Sequence, residues 1–282
     1  MKRWTKWTMG AGIAGMLYVL LDALVLEKYF FDIKEFDIGD KNSEEKIKLL
    51  LLSDLHFKQK LWPFYKRLIR KIKDINPDMI LITGDVIDQT GTPAPARNFF
   101  NLLPHHIPKA AILGNHDHKS EVSVQTLKDI YQKYNGDLLI NESKAYTING
   151  HAIMITGVDD FIKGSGHIEE AVKNVGKERH HILLVHSPLQ QEVVQRKIRD
   201  INTHRSEDRQ LNIQYIFAGH NHGGQVQLFG FAPVLPEKSG GYINGWYNTQ
   251  APYLYVSKGF GTTAIPVRFG ARSEITVFNY YA

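Results

Sequence analysis

After an apolar opening, the chain settles into short aliphatic runs separated by amphipathic stretches. Residues 47–53, 79–83, 110–113, 182–185 and 215–218 are runs of four to seven residues, the length of buried strands. Between the first two, Phe64, Leu68, Ile69 and Ile72 recur at helical spacing, which predicts a basic amphipathic helix over 63–74. Shorter helices are expected over 96–103, 122–134 and 168–175. Asn149-Gly150 between 144–148 and 151–156 is a strong two-residue hairpin signal. Strands are expected again at 225–228, 253–257 and 275–278, with many glycines between. The charged stretch 196–209 reads as a solvated surface helix and loop. Strands alternate with helices early and dominate late, so the pattern predicts an α/β protein with a mixed sheet or two packed sheets.

The opening itself is different. Lys2, Arg3 and Lys6 precede an almost wholly apolar run over 8–26, broken only by Asp22. Nineteen residues is close to the roughly 20 that span a bilayer, and no good cleavage site comes after it. The expectation is an uncleaved transmembrane signal anchor over 1–31 with its N-terminus in the cytoplasm. A buried or amphipathic helix with Asp22 on its polar side is the alternative. A polar connector is expected over 32–46, and one large domain over 47–282. That arrangement puts the domain on the extracytoplasmic side.

Composition narrows the chemistry. Of 282 residues, 43% are hydrophobic and 22% charged, enough for a sizeable core and against a disordered chain. There is no cysteine, which excludes thiolate metal sites, thiol nucleophiles and disulfides. A net charge of +5 is too small an excess to call for nucleic acid. Thirteen histidines remain as the informative feature.

Their placement is systematic. The first strand run is followed by Asp54 and His56, the second by Gly84-Asp85, and the third by Gly114-Asn115-His116-Asp117. His186 follows the fourth, and Gly219-His220-Asn221-His222 the fifth. In open α/β sheets, ligands bind beyond the carboxyl ends of the strands. On an extended backbone, D-x-H and H-x-H would point two side chains the same way, because the side-chain period is two. One histidine at a strand end is ordinary. Five successive ends carrying only oxygen or imidazole donors point to a shared metal site.

Order, spacing and identity of these five blocks resemble the calcineurin-like metallophosphoesterase superfamily, over about residues 47–280. The Gly219–Gln225 block and the Tyr255–Thr263 stretch are similar to the bacterial membrane-associated YaeI/YkuE-type phosphodiesterases. The resemblance implies a four-layer α/β/β/α sandwich. It implies two divalent metal ions, one held by Asp54, His56, Asp85 and His222, the other by Asp85, Asn115, His186 and His220. His116 would be the general acid, oriented by Asp117. Mn²⁺ is favoured, with Fe²⁺ or Zn²⁺ also suited to four imidazoles. The implied activity is hydrolysis of phosphodiester or pyrophosphate bonds by a bridging hydroxide, on substrates that include lipid-linked or envelope compounds.

Charge arithmetic agrees with that chemistry. Two divalent ions, two aspartates and one hydroxide sum to +1, which attracts a phosphoryl anion. A Ser/Thr protein phosphatase is a rival reading, but Gly84-Asp85-Val86-Ile87-Asp88-Gln89-Thr90 lacks the Arg-Gly that ends this block in that class. A non-catalytic metal-binding membrane protein is the other rival, disfavoured because no donor is missing. Trp62, Tyr65, Trp246 and Tyr247 are candidates for an apolar rim, and Arg268 for a phosphate contact or, more in keeping with its type, a salt bridge.

Overall fold

A computed structural model describes residues 3–282. The chain opens with α1 (Arg3–Leu21), which widens into a π-helical turn (Asp22–Leu26) and ends in α2 (Glu27–Tyr29). Next come β1 (Asp32–Gly39), β2 (Lys46–Leu52), α3 (Pro63–Ile75), β3 (Met79–Ile82), α4 (Pro93–Leu102), β4 (Lys109–Ala111), α5 (Asn115–Lys119), α6 (Val124–Lys133) and β5 (Gly136–Leu138). The second half contains β6 (Glu142–Ile148), β7 (His151–Gly157), α7 (Ile168–Ala171), β8 (His181–Leu184), α8 (Gln190–Thr203), β9 (Tyr215–Ala218), β10 (Gly245–Tyr247), β11 (Tyr253–Val256) and β12 (Glu274–Tyr281).

These strands form two mixed six-stranded sheets, ordered β1-β12-β2-β3-β4-β5 and β10-β11-β9-β8-β7-β6. Alternate side chains explain how they stack. Leu49, Leu51, Met79 and Leu81 of the first sheet share one buried cluster with Ile153, Ile155, Ile182 and Phe217 of the second. Phe217 and Phe278 stack across that interface at 4.4 Å between ring centroids. The opposite faces are covered by helices. Leu50, Leu52, Ile80 and Ile82 pack on the apolar faces of α3, α4 and α6. Leu183 and Ile216 pack beneath α7 and α8. The result is the α/β/β/α sandwich that the sequence resemblance implies. Parallel pairing of β2, β3 and β4, and of β7, β8 and β9, sends their carboxyl ends to one edge.

Several expectations need correction. The polar 32–46 stretch contains β1, an edge strand paired in parallel with β12 from Asp32↔Glu274 to Gly39↔Tyr281. Its charged residues face water along an edge, which is why it reads as a connector. Residues 225–228 are not a sheet strand; they make only isolated bridges, Val226 with Phe269 and Leu228 with Phe231. The charged 196–209 stretch is, as expected, a surface helix and loop: it continues α8 to Thr203 and then turns, with Ile198 buried.

The opening segment departs furthest. Among the described residues no helix is long and apolar enough to cross a membrane. The first turns of α1 carry Arg3 and Lys6, and its regular winding ends at Asp22. The transmembrane helix is therefore not supported. What the structure does show is an exposed apolar helix, with Ile13, Met16, Leu17 and Tyr18 each more than half exposed. Its C-terminal end is tied to the domain. Ala23 O accepts from Arg268 N at 3.0 Å, and the buried Glu27 carboxylate accepts from Gly270 N at 2.6 Å and Ala271 N at 3.2 Å.

Candidate metal centre

All nine residues singled out by the sequence lie at the shared strand edge. Their convergence does not come from extended backbone. Asp54, His56, Asp85, His220 and His222 all have positive φ, between 46° and 72°. Left-handed backbone costs of order 1–3 kcal/mol at a non-glycine residue and persists only where the surroundings enforce it. Here they do. His220 N donates to the Asp54 carboxylate at 3.0 Å, and Ser53 Oγ donates to the same group at 2.5 Å. The glycines are required by crowding. A Cβ on Gly114 would collide with the Asp85 carboxylate, and one on Gly219 with Ser53 Oγ.

Three overlapping donor groups result: Asp54, His56 and His222; His56, Asp85 and His116; and Asp85, His186 and His220. Asp85 Oδ2 lies 3.5 Å from His56 Nε2 and 3.4 Å from His186 Nε2, so one oxygen stands between the two sides. His222 Nε2 is 3.5 Å from Asp54 Oδ1 and 3.0 Å from His56 Nε2. On the other side, Asn115 Oδ1 is 3.1 Å from His186 Nε2. The outward nitrogens are taken up by carbonyls. His186 Nδ1 lies 2.8 Å from Thr83 O, and His220 Nε2 lies 2.8 Å from Glu237 O. Such bonds select the tautomer that leaves the inward nitrogen free for a cation. Seven nitrogen and oxygen donors, buried and converging on one edge, suit two divalent ions.

Burial dominates the electrostatics. It raises the Asp54 carboxyl and pushes His220 down to about 4. For Asp85, burial acts upward, but His186, His56 and His116 together hold the carboxyl well below the usual range. An ionised carboxylate kept among imidazoles is the state a cation needs.

His116 lines a cavity of about 150 Å³ together with Asp85, Asn115, His220, Lys119 and Thr263. Thr263 Oγ1 is 3.1 Å from His116 Nε2. Burial pushes the imidazole down to about 4, against the pull of Asp85 and Asp88. Asp117 does not touch it. The Asp117 carboxylate instead accepts from Ile87 N at 2.7 Å and Gly114 N at 2.9 Å, tying two site loops together. The carboxylate near His116 is Asp88, whose Oδ2 is 3.7 Å from its Nδ1 and 3.5 Å from Nδ1 of His56. Sequence reasoning missed Asp88 as a site residue. Its only signal is its place three residues after Asp85 in the same strand-end loop.

Arg268 is also repositioned. It is fully buried, without a carboxylate partner within salt-bridge distance among the described residues. Its guanidinium donates to the carbonyls of Gly261, Ala271, Lys258, Gly259 and His222, and lies 3.1 Å from His222 Nδ1. It braces the metal-site loop rather than meeting substrate. Burial pushes it down to about 10, so it stays charged at neutral pH. Gln225 braces the same region, with Nε2 donating to Thr263 O and Ile265 O at 3.1 Å. His118 turns to Asp159, at 2.7 Å, and joins no donor group. Of the apolar-rim candidates, Trp62 and Tyr65 line a hollow of about 490 Å³ that His56 also borders, whereas Trp246 packs on Phe36, Tyr255 and Phe278 between the sheets.

Comparison with known proteins agrees with this geometry. Residues 47–224 match the family described as calcineurin-like phosphoesterase. The uncharacterized protein YpbG of Bacillus subtilis (strain 168) is 29% identical, over 93% of this chain and 94% of its own. The uncharacterized metallophosphoesterase YkuE of the same organism is 32% identical, over 76% of this chain and 71% of its own. A Bos taurus transmembrane protein with metallophosphoesterase domain is 27% identical, over 83% of this chain and 53% of its own.

Proposed function

Since the chain belongs to the calcineurin-like phosphoesterase family, a metal-dependent phosphoesterase class, we propose that it hydrolyses phosphodiester or pyrophosphate bonds with two divalent ions held at this site. The observation that carries the reading is Asp85 Oδ2, placed between His56 and His186 as the one oxygen common to both donor groups. Asp54, His56, Asp85 and His222 would hold one ion; Asp85, Asn115, His186 and His220 the other. When bound, such a pair supplies an acidified water and a clamp on phosphoryl oxygens. The four imidazoles favour Mn²⁺, Fe²⁺ or Zn²⁺ over Mg²⁺ or Ca²⁺, and Mn²⁺ is our choice.

The chain's own residues do the rest. His116 lines the cavity and protonates the departing oxygen once a bound phosphoryl anion offsets the burial that keeps its imidazole neutral. Gln89 N donates to its Nδ1 at 3.4 Å, with Asp88 Oδ2 3.7 Å from the same nitrogen, and Thr263 Oγ1 lies 3.1 Å from Nε2; together they set the ring's direction. Lys119 adds positive charge at the rim for an anionic ester. Asp54 and Asp85 are closed off from water and neutralise only part of the cationic charge, so a phosphoryl anion is still attracted.

The test is hydrolysis of bis-nitrophenyl phosphate by the purified full chain. Activity absent after chelation and restored by Mn²⁺ is expected. No activity with any of Mn²⁺, Fe²⁺ or Zn²⁺ favours the non-catalytic metal-binding reading instead.

We place the protein at a membrane, with lipid-linked or envelope phosphate esters as its substrates. The exposed apolar α1 supports this, as does the name of the bovine relative. Lys2, Arg3 and Lys6 ahead of an apolar run form the pattern of an export signal, and on that pattern we place the domain on the extracytoplasmic side. Protease added to intact spheroplasts should digest the domain. Complete protection until lysis reverses the side and makes a cytoplasmic lipid precursor the substrate.

A further inference from the structure

A short hairpin beside the metal centre has no role in the chemistry above. Leu228 and Phe231 pair by two backbone hydrogen bonds of 2.9 Å, and Phe229-Gly230 form its tip with φ of 52° and 82°. Phe229 is fully exposed, and Leu228, Phe231 and Val234 are each more than half exposed. Apolar side chains held out together on a tight turn are costly in water and mark a contact surface.

Backbone pairing fixes where that surface lies. Gln227 N donates to Phe269 O at 2.7 Å and Phe269 N to Gln225 O at 3.0 Å, so the hairpin stem runs beside residues 268–269. On its other side that segment receives the N-terminal helix, through Arg268 N to Ala23 O at 3.0 Å and Lys28 Nζ to Pro266 O at 2.8 Å. Hairpin, connecting segment and helix are therefore neighbours, and each exposes apolar groups: Phe229, Ile265, and Leu24 with Val25. The metal cavity borders the same segment, since Thr263 lines it and lies 3.1 Å from His116 Nε2.

The border of this patch is basic. Lys28 and Lys58 flank the hollow beneath Leu24 and Val25. Arg67 of α3 lies over the Phe30 ring at 5.1 Å, and Arg70, Lys71 and Lys73 continue from it along a surface with Asp74 as the one acid lining it. Apolar groups bordered on the helix side by lysine and arginine are complementary to a lipid surface with anionic headgroups.

We propose that the Phe229 hairpin is a second membrane contact, dipping into an anionic bilayer together with the N-terminal helix so that the metal cavity faces the headgroups. The inference goes beyond the catalytic reading and holds whichever phosphate ester is cleaved. Two anchor points fix the domain's tilt, where the helix alone would leave it free to swing.

The chain contains no cysteine, so a single one can report position. Phe229→Cys, Met16→Cys and Gln132→Cys, each in the full chain, are labelled with an environment-sensitive dye and mixed with phosphatidylglycerol–phosphatidylethanolamine vesicles. Gln132 is the control, on α6 beside β5 at the far edge of the first sheet. The expected result is a blue shift at 229 and 16, none at 132, weakened by salt or by purely zwitterionic vesicles. The double variant Phe229→Ser/Phe231→Ser should bind vesicles at least roughly tenfold more weakly, from the loss of two buried rings. Its rate on soluble bis-nitrophenyl phosphate should be unchanged, which separates this test from that of the catalytic reading. A shift at 16 with none at 229 overturns the proposal. So does a shift at 229 that needs no vesicles and grows with protein concentration, which would make a second copy of the chain the occupant.

Discussion

Asp85→Asn is expected to lose nearly all activity and to be purified with less than two equivalents of metal. The oxygen Oδ2 lies 3.5 Å from His56 Nε2 and 3.4 Å from His186 Nε2, and these two imidazoles belong to opposite donor groups. Asparagine keeps the shape and one oxygen. It removes a full negative charge from the buried donor set, in which Asp54 is the only other carboxylate, Asp88 and Asp117 lying outside it. Loss of an outer partner of a metal ligand typically costs 10–100-fold in affinity or rate, so loss of the shared ligand's charge should exceed about 100-fold. The other oxygen, Oδ1, accepts from His116 N at 2.7 Å, a bond that the side-chain oxygen of asparagine retains. Gross misfolding is therefore not the expected cause, and an unchanged thermal unfolding profile of the metal-free proteins would show that. Metal analysis and kcat/KM on a soluble diester are the measurements. A variant that retains two metals and turns over normally would falsify the assignment of Asp85 as the bridge.

Much of this site is legible in the sequence alone. Each donor comes after a buried run and sits near a glycine or a turn, so strand ends and donors can be read together. Order and spacing then carry the resemblance to the family. The backbone conformation is not legible. The spacing of Asp54 and His56 suggests an extended pair, but both residues are left-handed, held by groups more than 25 residues away: His220 N donates to the Asp54 carboxylate, and Asp85 O accepts from His56 N. Residues that act through burial are equally hidden. Arg268 lies in an unremarkable Pro-Val-Arg-Phe sequence, and its five carbonyl partners come from three separated segments. Asp117 looks like the partner of His116 because it is adjacent in sequence. On α5, neighbours point about 100° apart, and Asp117 turns inward to two amides instead. Edge strand β1 escapes notice because a strand with one wet edge carries little apolar pattern. The N-terminal helix shows the opposite case, where a plain apolar run predicts a span and the winding at Asp22 gives a helix docked by its end.

The position of His116 leads to the second large effect. Its ring lines the cavity and is less buried than the other donors, with Nε2 toward Thr263 and Nδ1 toward Gln89 N and Asp88. A phosphodiester leaves as an alkoxide unless a proton arrives, and a positioned general acid contributes typically 10²–10⁴-fold. That contribution shrinks as the leaving group becomes a better anion. His116→Ala should therefore lose about 10²–10⁴-fold on alkyl diesters, but far less on a nitrophenyl diester, with both metals retained. Asp88→Asn should move in the same direction by less, and should also loosen the metal, because Asp88 lies 3.5 Å from Nδ1 of His56 as well as 3.7 Å from Nδ1 of His116. Asp117→Asn should instead reduce all substrates alike, since its carboxylate holds the Gly114 and Ile87 amides and not the ring. The measurement is kcat/KM for the three variants across leaving groups of graded pKa, with metal content determined for each. His116 also lies within reach of His56 and Asp85 as a third donor group. Loss of a metal in His116→Ala would make it a ligand, and an equal loss on every leaving group would make it a binder of phosphoryl oxygens; either result removes it as the proton donor.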